Sequence, residues 1–125
     1  RKKILKAFQL LKKANIKSTA YNIIGIPGED EEMIINTIEF NRELNPDNVT
    51  VAYFSPYAGT LQQEKAYDEK AFNKFEHDLD SSYKTQTKSK DMTEKMLNFY
   101  KRNFTKFVKE GFKNLDRLKL EANIL

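Results

Sequence analysis

Two corners carry the residues best placed to do chemistry. The run Tyr21-Asn22-Ile23-Ile24-Gly25-Ile26-Pro27-Gly28-Glu29-Asp30 leads an apolar extended stretch into a Gly-x-Pro-Gly turn and then into acids that open an amphipathic helix. A second edge follows at Phe54-Ser55-Pro56-Tyr57-Ala58-Gly59-Thr60. Glycine lets a ligand approach bare backbone, so Gly25 and Gly28, with Pro27 between them, can present N–H and C=O groups to a flat polar edge such as adenine. Around them, Asn22, Tyr53, Phe54 and Ser55 are candidate lining residues. Glu29 stands at the mouth, placed to hold loop N–H groups, to contact a ligand amine or hydroxyl, or only to favour the helix start. Ligands of parallel α/β sheets sit beyond the carboxyl ends of the strands, where both corners fall.

Other chemistries are excluded or unsupported. The chain has no Cys, which removes a cysteine nucleophile, a disulfide framework and a cysteine metal site. Its single His, His77, stands in Phe75-Glu76-His77-Asp78 without a visible nucleophile or further ligands, and reads as exposed or helix-capping. The first corner also lacks the Gly-x4-Gly-Lys-Ser/Thr pattern of a phosphate loop.

The elements that must position the corners follow from periodicity. Ile4, Leu5, Phe8, Leu11 and Ala14 recur at helical spacing over residues 2–14, with lysines opposite. Residues 18–25 form a strand whose continuous apolar content predicts a sheet covered on both faces. Asp30 caps a helix over about 31–45, with Glu31 and Glu32 in its first turn and Met33, Ile34, Thr37, Ile38, Asn41 and Leu44 facing inward. Asn45-Pro46-Asp47 ends that helix, and residues 49–54 supply the next strand. Alternation with short connections predicts adjacent parallel strands. Residues 61–91 turn polar, with a short helix around Phe72, Phe75 and Leu79 and a loop over Ser81–Lys90. From Met92, the stripe Met96, Tyr100, Phe104, Phe107 or Val108, Gly111, Leu115 and Leu118 predicts one long helix, or two broken near Gly111.

With 125 residues, the chain suits one modest domain, and its formal charge of +4 is unevenly spread. Residues 1–17 hold seven Lys or Arg and no acid, residues 18–91 seven bases against fourteen acids, and residues 92–125 eight against four. That division favours docking between segments over a continuous nucleic-acid footprint. No apolar run reaches transmembrane length and no secretory signal is visible, so a cytoplasmic location is expected. The start at Arg1, within a helical pattern and without Met, suggests a piece of something longer.

The ordered pair Gly25–Glu29 and Phe54–Thr60, with its spacing, resembles the carboxy-terminal half of radical S-adenosylmethionine enzymes, closest to the class that often carries an upstream cobalamin-binding domain. The likeness covers residues 1–60 and extends only loosely to Phe99-Tyr100-Lys101-Arg102. It implies an α/β fold, a fragment of a parallel (βα)6 open TIM-like barrel, followed by a helical carboxy-terminal region. It also implies S-adenosylmethionine and a [4Fe-4S] cluster in the parent protein, with reductive cleavage to a 5′-deoxyadenosyl radical. On that resemblance Asn22, Gly25, Pro27, Gly28, Glu29, Tyr53, Phe54 and Ser55 would line the adenine side of the pocket, in a fragment inactive alone because the Cys-x3-Cys-x2-Cys motif is absent. The division expected is 1–60 as terminal βα units, 61–91 as short helix and linker, and 92–125 as an amphipathic extension. Expected partners are an amino-terminal part of the same protein and a second copy through an exposed sheet edge, with no membrane span. The alternative reading is a non-enzymatic basic α/β interaction domain that binds a partner protein or nucleic acid.

Overall fold

A computed structural model describes residues 1–55 and 92–124. Pro56, Tyr57, the helix expected around Phe72 to Leu79, His77 and the loop Ser81–Lys90 lie outside the described residues.

The first helix, α1, spans Lys2–Lys13 and ends as Asn15 adopts φ 57°, with the Ile16 N–H donating back to the Leu11 carbonyl. None of its side chains is buried, so it rests lightly on the remainder. Strand β1 follows at Thr19–Ile24, helix α2 at Glu31–Leu44 and strand β2 at Asn48–Tyr53. The Asp30 carboxylate accepts the Met33 N–H at 2.8 Å, satisfying one of the helix's orphan donors. At its other end Asn45 takes the left-handed conformation at φ 48° and donates to the Asn41 carbonyl.

The strands are parallel neighbours, with Thr19 opposite Asn48 and Ile24 opposite Tyr53. Their shared start is fixed by the Ser18 N–H, which donates to the Asp47 carboxylate at 2.7 Å. Helix α3, Glu94–Glu110, is capped by the Thr93 hydroxyl and stops at Gly111, whose φ of 83° suits a residue without a Cβ. A short α4, Leu115–Glu121, completes the described chain. The break expected near Gly111 is therefore present.

The core lies on one side of the sheet. Ile24 and Tyr53 meet Ile34 and Ile38 of α2 and the α3 residues Leu97, Phe99, Tyr100, Phe104, Phe107 and Val108. Fully burying each large side chain contributes about 1.5–3 kcal/mol, so the six buried residues of α3 supply on the order of 10 kcal/mol before entropy is counted. This helix completes the core of the βα unit. Arg42 of α2 strengthens the join by donating to the Phe107 and Val108 carbonyls at 3.1 and 3.0 Å, which closes the carboxyl end of α3.

Two expectations are corrected here. Among the described residues the sheet is covered on one face only: Thr19, Tyr21 and Ile23 point away from the helices, with Tyr21 81% and Ile23 54% exposed. A continuous apolar strand fits two-sided burial, but it fits equally a strand whose second face is left for another molecule. The fold class is corrected too. Among the described residues the sheet has two strands and does not close, far short of a six-stranded (βα)6 TIM-like barrel.

Candidate binding site

The strand ends bring the two corners together. Because Ile24 and Tyr53 are in register, the Phe54 N–H donates to the Ile24 carbonyl at 2.7 Å, and Gly25 lies beside Phe54 and Ser55. Gly25 and Gly28 have φ of 85° and 83°, and the Glu29 N–H returns to the Ile26 carbonyl to close the turn around Pro27. The Glu29 carboxylate accepts the Gly25 N–H at 2.7 Å and the Ile26 N–H as well. Burial raises the Glu29 pKa and the nearby Asp30 adds to that, while the two N–H donors oppose it; the net direction is upward. Its oxygens are thus engaged in holding the corner.

Asn22 and Tyr53 turn to the helical side. The Asn22 amide donates to Asn41 Oδ1 at 3.0 Å, and Asn41 donates back to Asn22 Oδ1 at 2.8 Å and to the Thr37 carbonyl at 2.8 Å. The Tyr53 hydroxyl donates to Asn98 of α3, and Lys101 Nζ lies 5.4 Å from its ring centroid. Ser55 Oγ is buried with no hydrogen-bond partner among the described residues. Of the residues expected to share a site, Gly25, Pro27, Gly28 and Glu29 gather with Phe54 and Ser55 at one sheet end, while Asn22 and Tyr53 point their polar atoms into the α2 and α3 packing.

A third polar cluster ties α4 to the start of α2. Glu31 accepts hydrogen bonds from the Tyr100 hydroxyl and the Lys119 ammonium. Burial alone would raise the Glu31 pKa, but these two donors and the ammonium charge outweigh it and hold the carboxyl below its ordinary value. Burial and the Glu31 contact push the Tyr100 hydroxyl above the usual tyrosine range.

The surface that sequence reasoning passed over lies on the other face and edge of β1. Tyr21 and Ile23 stand exposed there, across from Thr50 and Ala52 of β2. Beside them is a cleft of about 270 Å³ lined by Ile4 and Phe8 of α1, Thr19 to Asn22 of β1, and Phe40, Asn41 and Leu44 of α2. Exposed Ile4, at 47%, lies on its rim. The signal available was the odd-numbered alternation Thr19, Tyr21, Ile23, hidden by apolar residues at the even positions.

The cofactor expectations do not survive this geometry. The chain contains no Cys, and among the described residues no three His, Cys, Asp or Glu side chains gather as metal ligands. Among the described residues the sheet is unclosed and frames no barrel pocket. The resemblance to radical S-adenosylmethionine enzymes, the S-adenosylmethionine, [4Fe-4S] and cobalamin assignments, and the radical-generating function are accordingly overturned. Among the described residues no helix is long and apolar enough to cross a membrane.

No family model matches the chain. An uncharacterised protein of Methanocaldococcus jannaschii is 42% identical over 55 residues, which is 42% of this chain and 11% of that protein. A Pyrococcus abyssi protein named a probable threonylcarbamoyladenosine tRNA methylthiotransferase is 44% identical over 39 residues, 31% of this chain and 9% of that protein. The chain thus spans about a tenth of the length of the curated relatives it matches.

Proposed function

We propose that this chain is an α/β interaction domain that seats a partner polypeptide against the uncovered side of its sheet. The observation that carries this reading is the exposed pair Tyr21 and Ile23 on a strand whose opposite face buries Ala20 and Ile24. Burying a large apolar side chain contributes about 1.5–3 kcal/mol, so this pair alone offers a useful anchor to a complementary surface. The corner residues Gly25, Pro27, Gly28, Glu29 and Phe54 serve as the rim of that surface, with the Ser55 hydroxyl buried beneath it. The partner is further polypeptide, and the setting is the cytoplasm, in keeping with a chain that has no cysteine.

The test is p-benzoylphenylalanine introduced at position 21 and irradiated in cells. A single defined polypeptide adduct, lost when Ile23→Asp is added, is expected; absence of any adduct overturns the reading.

A second reading is favoured by the name of the Pyrococcus abyssi relative, which concerns tRNA. Under it, the seven basic residues of positions 1–17 contact phosphate, and the position-21 adduct is nuclease-sensitive. Affinity for tRNA should then fall steeply with salt.

A further inference from the structure

The free edge of β1 has the geometry to accept one more strand. Its start is bonded to β2 through the Ser18 carbonyl and its end through the Ile24 carbonyl, and a parallel ladder engages every second residue with the same neighbour. The even-numbered residues therefore serve β2. The backbone groups of Thr19, Tyr21 and Ile23 point to the opposite edge, where no strand lies among the described residues. The 270 Å³ cleft opens on that edge, since β1 but no β2 residue lines it, and Ile4, Phe8, Phe40 and Leu44 make it largely apolar. A strand laid there would place alternate side chains in the cleft and return the others over Tyr21 and Ile23.

The charge around the edge states what kind of strand fits. Residues 1–17 carry seven bases and no acid, and α1 borders the cleft through Ile4 and Phe8. Arg1 is engaged with Glu43, and the α1 lysines, on the face away from Ile4 and Phe8, add a positive field around the edge and not a contact within the cleft. Two copies paired edge to edge would bring two such helices together, a like-charge contact that opposes self-pairing.

We infer that the β1 edge is a strand-addition site for an extended segment of another polypeptide, with alternating apolar residues and acidic flanks. This inference rests on the partner-binding reading and specifies where the partner lies and what it is made of. Main-chain hydrogen bonds to Thr19, Tyr21 and Ile23 supply the registration, and the apolar cleft together with the net positive charge of residues 1–17 supplies selectivity.

The probe is a fluorescein-labelled peptide, Glu-Val-Thr-Ile-Thr-Val-Glu, titrated with the whole chain and followed by anisotropy. Saturable binding is expected, with a loss of about tenfold or more on Tyr21→Pro, which removes an edge donor. Tyr21→Ser keeps that N–H and loses only the ring, so it should weaken binding clearly less than Tyr21→Pro, which loses both, and the gap between the two is the edge's share. Phe8→Glu should weaken binding by filling the cleft with like charge, as should replacing the peptide's Glu with Lys. No saturable binding, or equal binding by a peptide N-methylated at alternate residues, overturns the inference. So does a dimer in sedimentation that Tyr21→Pro dissolves, because the occupant is then a second copy. If peptide binding fails while the position-21 adduct persists, the edge assignment falls and the partner reading stands; if both fail, both fall.

Discussion

Replacing Asn22 by Val should destabilise the fold by about 2–4 kcal/mol, and the further change Asn41→Leu should recover most of that loss. Asn41 is 1% exposed, and its Oδ1 receives the Asn22 amide as its hydrogen bond. Removing Asn22 leaves that oxygen, on a side chain only 1% exposed, without its donor, a penalty of about 1–3 kcal/mol, and also deletes the reciprocal bond from Asn41 Nδ2, worth about 1 kcal/mol. Valine is a good strand residue, so backbone propensity does not add to the cost. With Leu at position 41 as well, no buried polar atom remains unpaired and the apolar pair fills a similar volume. Replacing both partners in this way is nearly neutral in general. Urea unfolding followed by circular dichroism measures all three variants. A double variant as unstable as the sum of the two single changes would refute the reasoning, because the loss would then reflect shape and not polar satisfaction.

Other outcomes follow from the same geometry. Gly28→Ala should cost about 1 kcal/mol in urea unfolding, because its φ of 83° is strained for Ala while its surroundings are open. Gly111→Ala should cost more, since the new Cβ meets the Arg42 guanidinium at 3.3 Å and disturbs the closure of α3. Deleting residues 94–124 should abolish cooperative unfolding, because six core side chains leave with α3. Acid behaviour should divide between two carboxyls. The lowered pKa of Glu31 gives stability that is present above its unfolded value and lost as pH falls through its folded value. The raised pKa of Glu29 works oppositely, giving a contribution that is full below its unfolded value and lost as pH rises through its folded value. Glu29→Gln should therefore steepen the loss of stability on acidification, and Glu31→Gln should flatten it, in urea midpoints measured from pH 7 downward.

Local signals were legible in the sequence and long-range ones were not. Asp30, Asn45 and Gly111 announced helix ends because capping depends on the residue itself and its immediate neighbours. The parallel strands and their crossing helix were readable from alternation and loop length. Ile34, Ile38, Asn41 and Leu44 formed the inward face of α2 as their spacing required, whereas Met33 stands 51% exposed at the edge of that arc. Leu97 and Phe99 were missed because α3 is packed over a wide arc and a single stripe describes only its centre. The barrel expectation failed for a different reason: corner motifs report how a strand ends, and they do not count the strands beside it. At the candidate site, Asn22 lines the cleft beside β1, and its amide meets Asn41 19 residues away, a pairing that no local pattern encodes.

That amide pair also answers a question the apolar residues leave open. Strand β1 has hydrophobic side chains at both parities, Ala20 and Ile24 on one and Tyr21 and Ile23 on the other, so oil-like burial gives little reason to prefer either face. A slip of one residue exchanges the faces completely. The slipped strand would bury Tyr21 and Ile23 at little hydrophobic loss, but it would carry Asn22 to the far side and strand Asn41 among aliphatic neighbours. Two asparagines thus act as a parity check on an otherwise ambiguous segment, and they keep the stickier pair of side chains on the outside.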